Sequence, residues 1–314
     1  MNSRQLARRW PYPRRSRFVS LMRRAAEKWF EGKDCNLHPK YKYCLADWND
    51  WHHNIIQREV AEYIEDIRKE RNSEGYGFAL HDYVHHGLSS QALLFNLIVP
   101  LIVRQDLESL YEVLRSKGLQ WPSRGNKVTL EYEDRQVFNE DSGQPTSIDL
   151  VIGDPEKPGA LFVECKFTES GFGGCSVFEQ GDCEGSNPIS NLSRCYLHYI
   201  GRMYWERLKS FGFTKGALST DSMCILANHY QFFREIAFSL YKEGAFILLC
   251  DDRSPTFSAG DRGLMPLLLD FVPDKYKDRI GLISIQDLVT SIDKSGTHSD
   301  WIGQFKNKYG IEDF

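Results

Sequence analysis

Near the middle of the chain, two short apolar runs carry embedded charges, Asp149 in the first and Glu164 and Lys166, two apart, in the second. SIDLVIGD, residues 147–154, is aliphatic and β-branched, and the Gly153, Asp154, Pro155 stretch that follows is a turn signal. ALFVECKF, residues 160–167, is a second such run. Successive side chains alternate faces along a strand, so Glu164 and Lys166 point one way and Cys165 the other. Asp149 stands early in the first run, where an antiparallel return carries it beside Glu164. KVTLEYED, residues 127–134, predicts a first strand of the same meander, with Glu131 and Glu133 on one face.

The flanking pattern reads mostly as helix. A short helix is predicted over 18–31, and another over 54–71 with Ile55, Val60, Ile64 and Ile67 on one face. Ser89 or Ser90 reads as the N-cap of one long apolar helix, QALLFNLIVPLIVRQDLESLYEVL. Residues 170–190 are rich in Gly, Ser and Asn and read as a loop, followed by a helix through RCYLHYIGRMYWERL. SMCILAN (222–228) reads as a buried strand, QFFREIAFSLYK as a helix and AFILLCDD as a second buried strand, a β-α-β half of an α/β core. The end reads as a capped helix over ISIQDLVTSI and a polar tail.

Composition changes this picture little. The 314 residues are 41% hydrophobic and 26% charged, ordinary for a globular chain, and 13% aromatic content supports a sizeable core. LLFNLIVPLIV is broken by Asn96 and Pro100, and the first residues lack an apolar signal core, so a cytoplasmic protein without membrane spans is expected. The formal charge of −4 argues against a general nucleic-acid binder. Its distribution argues the other way, because residues 1–28 hold nine basic side chains against Glu27 alone. Trp10, Tyr12 and Phe18 interleave with them, a pattern that tracks phosphates and stacks on bases. A solvated tail or an Arg-rich presequence has the same composition.

The charged hairpin has a chemical use. Two carboxylates with waters make an oxygen site for Mg²⁺, which polarises a phosphoryl oxygen and lowers the pKa of a bound water. A lysine one side chain away can orient that water or stabilise developing charge. A surface hairpin holding a Glu and a Lys is the plainer reading. Against it, both acids are embedded in apolar strands, where an unpaired charge is costly. Eight cysteines form no CxxC pair, and the spacing of Cys175, Cys183 and Cys195 fits no standard zinc pattern. His81, His85 and His86 cluster with no placed partner to complete a zinc set, and caps and loop hydrogen bonds are expected of them.

The spacing D-x14-E-x-K over Asp149, Glu164 and Lys166 resembles the signature of the PD-(D/E)XK nuclease superfamily, with Ile148 where the family name has Pro. VECKFTESGFG, HHGLSSQALLFNLIVPL and GRMYWERL resemble segments of its bacterial, restriction-endonuclease-like group, across roughly residues 80–290. The resemblance implies an α/β fold with a central mixed sheet flanked by helices, restriction-endonuclease-like, with a helical N-terminal extension. It divides the chain into a basic arm and extension over 1–78 and a nuclease domain over 79–314.

It also implies Mg²⁺, with Mn²⁺ as substitute, held by Asp149, Glu164 and the Cys165 carbonyl, and Lys166 positioning the attacking water. Candidates for a further acid are Glu133, preferred over Glu131, and Glu59 on the upstream helix. Gln91 stands where relatives carry a glutamate, and Glu169 extends the motif. Arg202 and Tyr199 are candidates for phosphate contact. The implied activity is DNA endonuclease of restriction, defence or repair type, acting alone or as a homodimer. The alternative is a catalytically inactive nucleic-acid-binding protein on the same fold.

Overall fold

The computed structural model describes residues 15–75, 77–119, 127–257 and 263–311. Five strands form one mixed sheet in the order β1-β2-β3-β4-β5: β1 Val128–Asp134, β2 Thr146–Ile152, β3 Leu161–Lys166, β4 Ala245–Cys250 and β5 Ile280–Ser284. The first three are an antiparallel meander, and β3, β4 and β5 run parallel. β3 and β4 are buried at every position, as expected of strands covered on both faces.

One face of the sheet packs Leu130, Leu150, Val163, Cys165, Ile247 and Leu249 into the larger apolar cluster. Helices α1 (Arg15–Phe30), α2 (Arg58–Ser73), α3 (Ser90–Val103), α4 (Glu108–Ser116), α7 (Ile285–Ser295) and α8 (Ser299–Tyr309) all contribute to it. The other face packs Val151, Phe162, Phe246 and Leu248 against α5 (Tyr204–Ser210) and α6 (Ile225–Tyr241). α3 is sheathed in protein for most of its length, and its first turn is capped by Ser89 Oγ accepting from the Ala92 N–H at 3.2 Å.

Several expectations are corrected. SMCILAN is not a strand, because α6 begins at Ile225 and its first apolar residues, Leu226 and Ala227, pack under the loop that follows β3. The long apolar helix is two, α3 and α4, separated at Gln105, whose φ of 54° ends the first. RCYLHYIGRMYWERL is likewise broken, its ordered turns being Leu192–Arg194, Tyr196–Tyr199 and α5, with Gly201 at φ 88° between the last two. ISIQDLVTSI divides between β5 and α7, where Ser284 and Asp287 form a capping box. The polar tail contains α8, whose Trp301, Phe305 and Tyr309 enter the core.

Phe18, read as a base-stacking aromatic, is instead a core residue, edge-on to Phe167 with ring centroids 6.1 Å apart. Trp10, Tyr12 and the arm up to Arg14 lie outside the described residues.

Candidate active site

The acids are built into an irregularity of the meander. β1 and β2 pair in one continuous register, with Leu130 opposite Leu150 and Tyr132 opposite Ile148. Glu131 therefore stands across from Asp149. At this position the alternation of faces flips in both strands: Leu130 and Leu150 belong to one apolar cluster, Tyr132 and Ile148 to the other. Glu131 has a φ of 48°, a left-handed conformation rare for a non-glycine residue in a strand. Arg71 of α2 holds the distorted backbone, donating to the carbonyls of Leu130 at 2.6 Å and Glu131 at 2.9 Å.

On the other side, the register of β2 with β3 continues from Leu150–Val163 to bring Asp149 opposite Glu164. The Asp149 Oδ2 accepts the Cys165 N–H at 2.8 Å, which fixes the side chain against β3. Glu131, Asp149 and Glu164 thus lie in a row across three neighbouring strands. Lys166, two residues beyond Glu164, donates to Glu164 Oε1 at 2.6 Å, and both are almost fully buried.

Two glutamines approach the row from opposite layers. Gln91, in the first turn of α3, donates to Glu131 Oε1 at 2.7 Å and to the Ala79 carbonyl, and accepts from the His81 N–H. Gln231 of α6 donates to Glu164 Oε1 at 2.6 Å. Its placement comes from a kink at His229 (φ −134°, ψ 36°), beyond which the Tyr230 and Gln231 N–H groups bond the carbonyls of Gly173 and Phe172. One turn further, Glu235 is fully buried beside Glu164 and Lys166, with Gln231 as its hydrogen-bonding neighbour. Glu164 Oε2 is buried and without a hydrogen-bond partner among the described residues.

The electrostatics are lopsided. Burial, with the charges of Glu164 and Glu131, pushes the Asp149 carboxyl well above the usual range, while Lys166 and the Cys165 N–H oppose the shift. Burial pushes Glu131 up to about 8, with the Gln91 hydrogen bond lowering it and Glu164 raising it. Burial and Glu164 raise Glu235 strongly. Burial alone would lower the Lys166 ammonium, but Glu164, Glu169, Asp149 and Glu235 outweigh it and hold the charge. One buried lysine therefore faces four carboxyl groups, from β2, β3, the loop after β3 and α6.

Other predicted residues are placed as follows. Glu133 is exposed and Glu131 takes the inner position, a consequence of the flipped alternation. Glu169 folds back to accept the Phe167 N–H at 2.6 Å. Glu59 pairs with Arg104 at 3.4 Å on the helix surface. Arg202 is bound to Asp141, Asn139 and Ser142, and Tyr199 is largely exposed. His81 Nδ1 accepts the Tyr83 N–H, and burial pushes His86 down to about 4. Among the described residues, no three His, Cys, Asp or Glu side chains converge on one point as a metal-ion cage.

The profile of one protein family, REase-ARP, described as restriction endonuclease associating with ARP, matches residues 23–310. The chain belongs to that family. No curated protein and no solved structure matches it. The matched span of the REase-ARP chain contains the meander, both glutamines and Glu235. Sequence reasoning placed Gln231 and Glu235 on a helix but missed their role, because nothing local says which face of that helix meets β3. Their four-residue spacing in an otherwise apolar helix was the available signal, since it puts both on one face. No helix among the described residues is long and apolar enough to cross a membrane.

Proposed function

We propose that the chain is a Mg²⁺-dependent DNA endonuclease of the PD-(D/E)XK type on a restriction-endonuclease-like sheet. The observation that carries this is the row Glu131, Asp149 and Glu164, with Lys166 at its end and the buried Glu164 Oε2 without a partner. Family membership supports it. Mg²⁺ is usually held by one or two carboxylates, waters and substrate phosphate, and Asp149 and Glu164 supply such a pair.

Asp149 and Glu164 would hold the metal, with the Cys165 carbonyl as a further ligand and Glu131 in reach of its waters. When bound, the ion polarises the scissile phosphate and acidifies a water. Lys166 stays protonated among the acids and stabilises charge that develops on the phosphate. Gln231 shares Glu164 Oε1 with Lys166, which leaves the buried Oε2 as the oxygen that would meet the metal. Gln91 fixes Glu131, so this amide orients an acid supplied by β1.

A cleavage assay on linear, circular and single-stranded DNA with added Mg²⁺ or Mn²⁺ tests the reading. Metal-dependent nicking or cutting of circular duplex is expected. Intact DNA under all metals, with retained binding, would favour an inactive nucleic-acid-binding protein.

A further inference from the structure

Two segments outside the acid row are fastened to each other and to it. Residues 37–45 and 81–87 are joined by the Leu45 N–H on the His85 carbonyl at 3.2 Å and the Gly87 N–H on the Tyr43 carbonyl at 2.8 Å. Gly87 allows this approach, because a Cβ there would lie 2.6 Å from the Ala26 methyl of α1. The second segment leads to the acids: the His81 N–H donates to Gln91 Oε1 at 2.8 Å, and Gln91 donates to Glu131. The start of α1 leads there as well, since the Arg15 guanidinium donates to the Thr168 and Glu169 carbonyls just past Lys166.

What these segments show to solvent is aromatic. Tyr41 is 41% exposed and Tyr83 57%. Tyr41 stacks on His38 with ring centroids 4.9 Å apart, and Tyr83 leans on His81 and His86 at 5.4 and 5.0 Å. The backbone fixes two of the imidazoles. His38 Nδ1 accepts the Lys40 and Tyr41 N–H groups and His81 Nδ1 accepts that of Tyr83, so each neutral ring keeps its proton on Nε2, as a donor on the far side. Cations lie over the same rings, Lys40 at 5.2 Å from the Tyr41 centroid and Arg23 at 5.1 Å from that of Tyr43. α1 supplies Arg23 and four further basic side chains, and with Lys40 and Lys42 these outnumber the acids that reach this cluster, Glu27, Asp47 and Asp82. Exposed rings, imidazole donors and an excess of cations are the parts with which proteins hold an unpaired strand, bases on the rings and phosphates on the cations. Duplex offers such a face its phosphates alone, since its bases are already stacked on one another.

We propose that this face, centred on Tyr41 and Tyr83, binds an unpaired DNA strand next to the phosphate that the acid row cuts. It rests on the nuclease reading of that row and adds the kind of substrate, a duplex with a single-stranded flank or one opened beside the cut.

The test is fluorescence anisotropy in EDTA with labelled blunt duplex, the same duplex with a single-stranded flank, and that flank made abasic. Wild type is expected to bind the flanked duplex roughly tenfold more tightly than the other two, a usual gain for stacked bases. Tyr41→Ala and Tyr83→Ala should each remove most of that gain and Tyr83→Phe should restore it, with unchanged Tm values showing the fold intact. Arg23→Gln should weaken binding of every DNA and flatten its salt dependence. Equal affinity for blunt and flanked duplex, or a flank preference untouched in the Tyr41→Ala/Tyr83→Ala double variant, overturns the proposal. Plasmid cleavage with Mg²⁺ separates it from the nuclease reading. Cutting without any flank preference in binding removes the strand face alone, whereas flank-dependent binding without cutting removes the nuclease reading and keeps the face.

Discussion

Lys166 and Lys308 are both buried, and their surroundings could hardly differ more. Lys308, on α8, donates to the Asn54 backbone carbonyl and to Asn54 Oδ1 at 2.8 Å, among the rings of Trp29, Phe30 and Tyr309. Burial, helped by nearby Lys33, pushes its ammonium well below the usual range. Lys166 sits among Glu164, Glu169, Asp149 and Glu235, and they hold it charged. Burial of a lysine is therefore not the mark of a site. The mark is the imbalance around it: in one place a lysine whose charge burial disfavours ties two segments of core, in the other a lysine is held charged by the acids that outnumber it.

The largest expected difference between the two is in activity. Lys166→Met should lower turnover on the order of 100- to 1000-fold, the usual loss for one electrostatic group of this kind. Lys308→Met should leave the rate per folded molecule unchanged. Steady-state cleavage of plasmid by both variants, each normalised to folded protein, measures this. Equal rates for the two variants would erase the contrast.

A second expected difference lies in pH. Glu131 is raised from 4.5 to about 8, so between those values the folded metal-free protein holds a proton there that the unfolded chain has released, and Asp149 and Glu235 are raised in the same direction. Their contribution to stability is thus full below the unfolded value and is lost as pH rises. Mg²⁺ favours the ionised acids, so its gain in Tm should grow from pH 5 to pH 8. Lys308 works with the opposite sign: its folded value is lowered, so its penalty shrinks as pH rises toward 10.5. Melting curves across this range, with and without Mg²⁺, separate the two. A Tm gain independent of pH would contradict the crowded-acid account.

A smaller effect sharpens the comparison further. Lys308→Met removes a costly buried amine but strips Asn54 Oδ1 of its donor, two terms of about 1–3 kcal/mol each and opposite sign. Denaturant melts at pH 7 should therefore show a net change within about 1 kcal/mol. The variant should also flatten the alkaline rise in stability. A loss of several kcal/mol would mean that Lys308 is charged in the fold.

How much of this was legible in the sequence follows from which interactions are local. The D…E-x-K hairpin was readable because strand alternation has a fixed period, and the structure brings Asp149, Glu164 and Lys166 together as that period requires. The same rule failed one strand away. Glu133 was preferred, yet Glu131 lies inside, because the pleat flips at the Glu131–Asp149 pair and Arg71, from α2, holds the flip. Nothing local announces such a switch. Gln231 and Glu235 stood on a helix that was read as one, yet which of its faces meets β3 is set by the kink at His229 and by the loop packed over its first turn, neither of which is local to them. β5 and α8 escaped for a related reason, being short elements stabilised by neighbours distant in sequence.

The central claim is that the acids hold the metal while Lys166 only acts on the reaction. The most direct test is Mn²⁺ binding and plasmid cleavage measured side by side for wild type, Asp149→Asn and Lys166→Met. The account predicts that wild type binds and cuts, and that Asp149→Asn binds poorly and does not cut. Lys166→Met should bind Mn²⁺ at least as tightly as wild type, since a competing cation has gone from beside Glu164, and still fail to cut. Cleavage by Lys166→Met at the wild-type rate, or Mn²⁺ affinity untouched by Asp149→Asn, would contradict it.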